Sequence, residues 1–146
     1  QDVTDVHDPY RRDFLEASDI LFFSAVNFAG PESIFKSILS EFPEKILISG
    51  MGAHGCALAT KDGVRYFPAV DLPQPVVDTN GAGDGLAVGF LSSYLMDDFA
   101  LEDAILRGQI TACWTCTQKA ISSNLIRKAQ LNEFYQQKRG AHENQS

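Results

Sequence analysis

The sequence predicts an α/β domain with at least one parallel strand pair, and three observations carry the prediction. Two short apolar runs, Ile20-Leu21-Phe22-Phe23 and Ile46-Leu47-Ile48, flank a stretch with helical spacing, so strand, helix and strand fall within about thirty residues, the length of a βαβ unit. A second pair of strand-like segments, residues 56–60 and 64–67, flanks Lys61-Asp62-Gly63, a hairpin turn whose glycine can supply a positive φ. The last third of the chain then reads as helices.

The elements follow in order. Ile20-Leu21-Phe22-Phe23 is short and followed by the breaker Gly30-Pro31, which suits a buried strand better than a helix. Pro31 fits the first turn of a helix, Ile34, Phe35, Ile38, Leu39 and Phe42 give that helix an apolar stripe, and Pro43 ends it. Lys45-Ile46-Leu47-Ile48-Ser49 is the second buried strand, and the two strands pair in parallel through a right-handed crossover. The loop Gly50-Met51-Gly52-Ala53-His54-Gly55 leads into the hairpin, and Pro68, Pro73 and Pro75 mark an extended stretch. Helices are expected at about 83–96, 101–119 and 129–139. Residues 1–139 read as one α/β nucleotide-binding region and residues 140–146 as a frayed, disordered tail.

Composition narrows the classes of function. The chain has 146 residues, 12 basic and 19 acidic side chains, and a net charge of −7. That balance argues against nucleic acid or an anionic membrane surface as partner. It does not argue against a nucleotide, whose phosphates can be held by local backbone dipoles. No apolar run approaches the ~20 residues of a membrane span. The polar start Gln1-Asp2-Val3-Thr4-Asp5 is unlike a leader, and a first residue other than Met reads as a chain beginning inside a longer one. Cys56, Cys113 and Cys116 form no disulfide framework, which makes the cytoplasm the expected compartment.

The chemistry concentrates in Asp78-Thr79-Asn80-Gly81-Ala82-Gly83-Asp84, between an extended segment and the helix of Leu86, Phe90, Leu91 and Leu95. Glycines there let the backbone approach a ligand. The first N–H groups of the following helix lack intrahelical partners and favour negative charge. Such a cradle suits the charge of a transferring phosphoryl group, and a carboxylate beside it can accept a proton from an attacking hydroxyl. The residues alone leave a second reading open, an ordinary loop in which Asp84 caps a helix. No Lys-Ser or Lys-Thr pair follows Gly83, so the loop is not a Walker loop.

This string closely resembles the DTxGAGD motif of the ribokinase-like (PfkB) carbohydrate kinases, matching every defined position. Ile-Leu-Ile-Ser followed by Gly-Met-Gly-Ala-His-Gly is similar to the family's strand and TxGxxG nucleotide loop. The resemblance runs from about Ala17 to Tyr135 but covers only the second half of the family's fold. It implies the C-terminal half of a mostly parallel ribokinase-like sheet flanked by helices, and an ATP- and Mg2+-dependent kinase acting on a hydroxyl of a sugar or sugar derivative. By position, Asp84 corresponds to the catalytic base, and Gly81, Ala82 and Gly83 to the anion hole. Asp78 corresponds to a carboxylate that helps bind a monovalent cation such as K+. Gly50, Gly52, Gly55, Asn80 and Gln109 fall where the family binds nucleotide, Gln109 as an adenine neighbour. The partners implied are ATP, a sugar-like substrate and the missing N-terminal half; a homodimer stays open.

The chain departs from the pattern at three places. Ser24 and Asn27 stand where the family commonly has Asn-x-x-Glu, which removes a charge near magnesium and leaves the metal to the ATP phosphates and water. Gly50 replaces the threonine of TxGxxG, and Ala120 replaces a glycine near the cation loop. The rival readings are a nucleotide-binding regulatory or interaction domain that has lost catalysis, and a nucleoside or vitamin kinase of the same family. Cys113-Trp114-Thr115-Cys116 lies deep in an expected helix, away from any helix N-terminus that would activate a thiol, and reads as core; so does Trp114. His54 reads as a solvated loop residue, His7 and His142 as too isolated for a metal site, and Lys119, Arg127 and Lys128 as a solvated face.

Overall fold

A computed structural model of the chain describes residues 9–25, 30–119 and 123–143. The chain divides into two compact units, Gln1–Ala69 and Val70–Ser146.

The first unit carries the sheet. Helix α1 (Pro9–Ala17) precedes strand β1 (Ile20–Ser24), helix α2 (Glu32–Glu41) and strand β2 (Ile46–Gly50), and a hairpin of β3 (Cys56–Thr60) and β4 (Gly63–Phe67) completes it. The strand order is β1-β2-β3-β4, with β1 and β2 parallel and both hairpin pairings antiparallel, so the sheet is mixed. The strand–helix–strand pattern is thus the parallel pair and Lys61-Asp62-Gly63 the hairpin, as the sequence predicts. The register stacks Leu21, Leu47 and Ala59 in one row and Phe23, Ser49 and Ala57 in the next. Both rows lie on the face whose apolar side chains join Leu15, Phe35 and Ile38 in one buried cluster. The central strands are apolar almost without alternation because neither face meets water, whereas β4 is exposed and carries Arg65, a charge that discourages edge pairing. The Nζ of buried Lys45 donates to the Ser18 carbonyl at 2.7 Å and lies 4.8 Å from the Phe42 ring centroid.

Cys56 is wholly buried in β3, and burial pushes its thiol up to about 12. Folding therefore raises this pKa, so the unfolded chain releases the proton first and stability falls as pH rises from 9.0 toward about 12. In the native protein Cys56 is expected to resist iodoacetamide at about pH 8 and to react on unfolding. Equal labelling rates in buffer and in urea would contradict this.

The second unit is helical: α3 (Ala82–Leu91) runs into a π turn (Ser92–Met96), followed by α4 (Leu101–Cys116) and α5 (Lys128–Glu143). Helices α3 and α4 approach closely through glycine. A methyl on Gly89 would lie 2.4 Å from Thr111 Oγ1, and one on Gly108 would lie 2.9 Å from the Leu86 carbonyl. Leu72, Ile110, Trp114, Leu131 and Tyr135 form the core. Trp114 fills space there, donating its Nε1–H to the Asn124 carbonyl at 3.0 Å. Arg107 is almost wholly buried; its Nε donates to Ser93 Oγ (2.8 Å) and its Nη1 to Asn132 Oδ1 (2.9 Å), and its charge lies 4.2 Å from the Phe99 ring centroid.

Three features differ from the sequence reading. Helix α1 falls where no helix was expected: only Leu15 of its described side chains is buried, so its stripe is too narrow to read. The helix expected over 83–96 is interrupted by the π turn, whose C-cap is Asp97, and the next residue, Asp98, takes a φ of 54°. Helix α5 continues through Gly140 to Glu143.

Candidate active site

In the second unit the loop before α3 is fixed by backbone contacts. The amides of Val77 and Asp78 both donate to the Cys116 carbonyl at the end of α4, at 2.7 and 3.1 Å. The amide of Asn80 donates to Asp78 Oδ1 at 3.0 Å, an Asx-type turn that ties the half-buried Asp78 carboxylate to its own loop. Ala82 N–H donates to the Thr79 carbonyl at 3.2 Å, and Gly85 N–H starts the helical ladder on Gly81 at 2.8 Å.

Gly81 is the N-cap of α3 at φ 82° and ψ 1°, a left-handed conformation that glycine adopts without a Cβ penalty. With no side-chain cap in the first turn, the N–H groups of Gly83 and Asp84 have no intrahelical partner and offer an anion two donors on the positive end of the helix. Asp84 is the third residue of the helix and exposed, so it is not the N-cap. The open alternative, in which it serves as a helix cap, does not match this geometry. Within one turn the chain presents free backbone donors and an accessible carboxylate, and that pairing can hold a phosphoryl group while taking a proton from its attacker.

In the first unit the loop after β2 closes on itself. Residues Gly52–His54 form a 3-10 turn, Met51 N–H donates to the Gly55 carbonyl at 2.8 Å, and Gly55 N–H donates to that of Gly52 at 3.1 Å. Gly52 and Gly55 take φ values of 58° and 95°. Gly50 ends β2 with its carbonyl accepting from Ala25 N–H at 2.9 Å. Ala53 and His54 are exposed. Ser49, one residue earlier, has a buried hydroxyl without a partner among the described residues, on the face turned to the α1–α2 cluster.

The remaining candidates are placed as follows. Gln109 is buried in α4. Ser24 is exposed at the end of β1, while Asn27, Ala120 and His7 lie outside the described residues. Burial raises the thiol pKa of both Cys113 and Cys116, which suits packing rather than nucleophilic chemistry. Among the described residues no group of three or more His, Cys, Asp or Glu could hold a metal ion. Sequence reasoning missed the Cys116 carbonyl and the Thr115 side chain beside the loop; a backbone carbonyl has no sequence signature, and the one signal available was the Thr111–Thr115 spacing of four on a helix.

The model of the pfkB family of carbohydrate kinases matches residues 14–128. The chain belongs to this family. It is 30% identical over 116 residues to the acarbose 7(IV)-phosphotransferase of Actinoplanes sp., covering 78% of this chain and 38% of that protein. It is 34% identical over 121 residues to the ATP-dependent ribose-1-phosphate kinase of Halopiger xanaduensis, covering 75% of this chain and 40% of that one. Among solved structures, the microbiome-derived acarbose kinase Mak1 superposes on 90% of this chain, and on 45% of its own, with a TM-score of 0.78 at 22% identity. The Methanocaldococcus jannaschii nucleoside kinase gives a TM-score of 0.69 at 25% identity over 86% of this chain and 42% of its own. The chain thus spans less than half the length of these relatives. No helix among the described residues is long and apolar enough to cross a membrane.

Proposed function

We propose that this chain is the nucleotide-binding part of an ATP-dependent kinase that transfers the γ-phosphate to a hydroxyl of a sugar or sugar derivative. One observation carries the reading: an exposed carboxylate, Asp84, shares a helical turn with uncapped backbone donors behind a left-handed glycine. Asp84 takes the proton of the acceptor hydroxyl, whose oxygen then bonds to the γ-phosphorus while the bond to the ADP oxygen breaks. The amides of Gly81, Ala82 and Gly83 line the anion hole, and those of Gly83 and Asp84 are the ones left without a helical partner for the phosphoryl oxygens. Gly50, Gly52 and Gly55 in the first unit, and Asn80 and Gln109 in the second, are assigned to nucleotide binding. Magnesium arrives on the ATP phosphates, with water completing its coordination. The relatives named for acarbose and ribose 1-phosphate support a carbohydrate-type acceptor, and the archaeal nucleoside kinase keeps a nucleoside in the panel to be tested.

A second reading, a nucleotide-binding domain without catalysis, is favoured by the sequence departure at Ser24 and Asn27, which stand where the family commonly has Asn-x-x-Glu. A coupled assay of ATP consumption by the full-length protein, against sugars, sugar phosphates, nucleosides and hydroxymethyl vitamins, separates the two. Acceptor-dependent turnover is expected; ATP binding with no turnover on any acceptor would favour the second. The 146-residue chain alone is expected to turn over no acceptor, because the remainder of a kinase fold orients it, and orientation is worth ~7–11 kcal/mol of barrier.

We also assign Asp78 to a monovalent cation site that orders the loop electrostatically. Turnover should be faster in potassium than in a large organic cation at matched ionic strength. Equal rates would remove the assignment.

A further inference from the structure

We propose that Thr115 is the positioning residue of the anion loop, a wedge on α4 that sets where the first turn of α3 stands; the inference rests on the kinase reading of that loop. Its hydroxyl donates to the Thr111 carbonyl one turn back at 2.9 Å, which fixes the rotamer. So held, the side chain faces the glycines on either side of the anion donors. A methyl on Gly81 would lie 3.4 Å from Thr115 Cγ2, and one on Gly85 would lie 2.8 Å from Thr115 Oγ1. The next residue, Cys116, accepts the amides of Val77 and Asp78 through its carbonyl, so the last turn of α4 holds the loop at both ends. Gly83, between those glycines, has nothing within 4 Å of where its Cβ would be, and its neighbour Asp84 is exposed. The ligand-facing side of the turn is therefore open, and its back rests on Thr115. A shift of the wedge moves the donors and the base together relative to the phosphoryl group, and displacements of about 1 Å in such geometry can cost 10²-fold in rate.

The test compares Thr115→Ala with Thr115→Val in the full-length protein. Val keeps both branches of the wedge and loses only the hydroxyl bond; Ala removes the wedge. Amide hydrogen exchange across residues 78–85 should quicken about tenfold or more in Thr115→Ala, stay near wild type in Thr115→Val, and not change in α5. In turnover, Thr115→Ala should lower kcat about tenfold or more with KM for ATP altered much less, and Thr115→Val should recover most of the loss. Unchanged exchange at residues 78–85 in Thr115→Ala, or quickening spread equally over α5, would overturn the proposal. So would a loss of kcat that Val fails to restore. A full-length protein that phosphorylates nothing would sink the kinase reading, and the exchange pattern would still decide the role of Thr115.

Discussion

Replacing Asp84 with Asn in the full-length protein is expected to lower kcat by about 10²–10⁴-fold, the usual worth of a positioned general base. Asn has the same shape and cannot accept the hydroxyl proton, so the loss belongs to the transition state and falls on kcat and kcat/KM together. Folding should barely respond. Asp84 is exposed and third in its helix, and the N-cap is Gly81, so no cap is removed; the charge lost near the helix N-terminus is worth only about 0.3–1 kcal/mol. Nucleotide binding should persist, because the donors are backbone amides that the substitution leaves in place. Asp78→Asn should behave differently. That side chain accepts the Asn80 amide and an Asn can still accept it, so the loop keeps its turn while losing the charge assigned to the cation. A raised requirement for ATP and a blunted potassium response are expected, with a smaller effect on kcat. Steady-state kinetics and a melting curve on the two variants check both statements. Near-native turnover by Asp84→Asn would remove the base assignment.

The places of these aspartates, one in the turn and one in the first turn of α3, were legible in the sequence because each has a fixed position in a seven-residue string whose glycines have a mechanical meaning. Gly81 must be left-handed to turn the chain into α3, and only a residue without a Cβ does so freely. The parallel pair was legible for a similar reason: Ile46-Leu47-Ile48 and Ile20-Leu21-Phe22-Phe23 are too apolar and too short to be anything but covered strands. Helix α1 was hidden because Leu15, the one buried residue among its described side chains, makes no stripe. The π turn was hidden because its anchor is distant in sequence: Arg107 reaches back to Ser93 and across to Asn132, and local propensity carries no trace of that bond. The pairing of the Val77 and Asp78 amides with the Cys116 carbonyl is of the same kind, a tertiary contact between backbone groups that any side chain permits.

A Gly55→Ala substitution should be the most damaging single-methyl change in the first unit. Gly55 stands at φ 95° and ψ −131°, a region that costs an L residue about 1–3 kcal/mol. The added methyl would also lie 2.0 Å from the Phe67 carbonyl oxygen and 2.6 Å from the Ala69 nitrogen, both backbone atoms that no rotamer change can move aside. Relief requires shifting the end of β4, where Phe67 is paired with Cys56, or opening the turn that Met51 N–H closes on the Gly55 carbonyl. Forced repacking of this kind adds about 1–3 kcal/mol, so the total loss should reach about 2–6 kcal/mol. Two controls separate the causes. Gly63→Ala carries the strain alone, since its φ is 129° and nothing lies within 4 Å, and should cost about 1–3 kcal/mol. Gly140→Ala, in the interior of α5 with open space around it, should stabilise by about 0.5–1 kcal/mol. Urea unfolding of the three variants gives the order directly. Because Gly55 also closes the loop assigned to the nucleotide, its Ala variant should raise KM for ATP, whereas Gly63→Ala, in the turn at the far end of the hairpin, should not. A Gly55→Ala protein as stable as Gly63→Ala would mean that residues 67–69 yield to the methyl at no cost, and the close approach would then place no constraint on position 55.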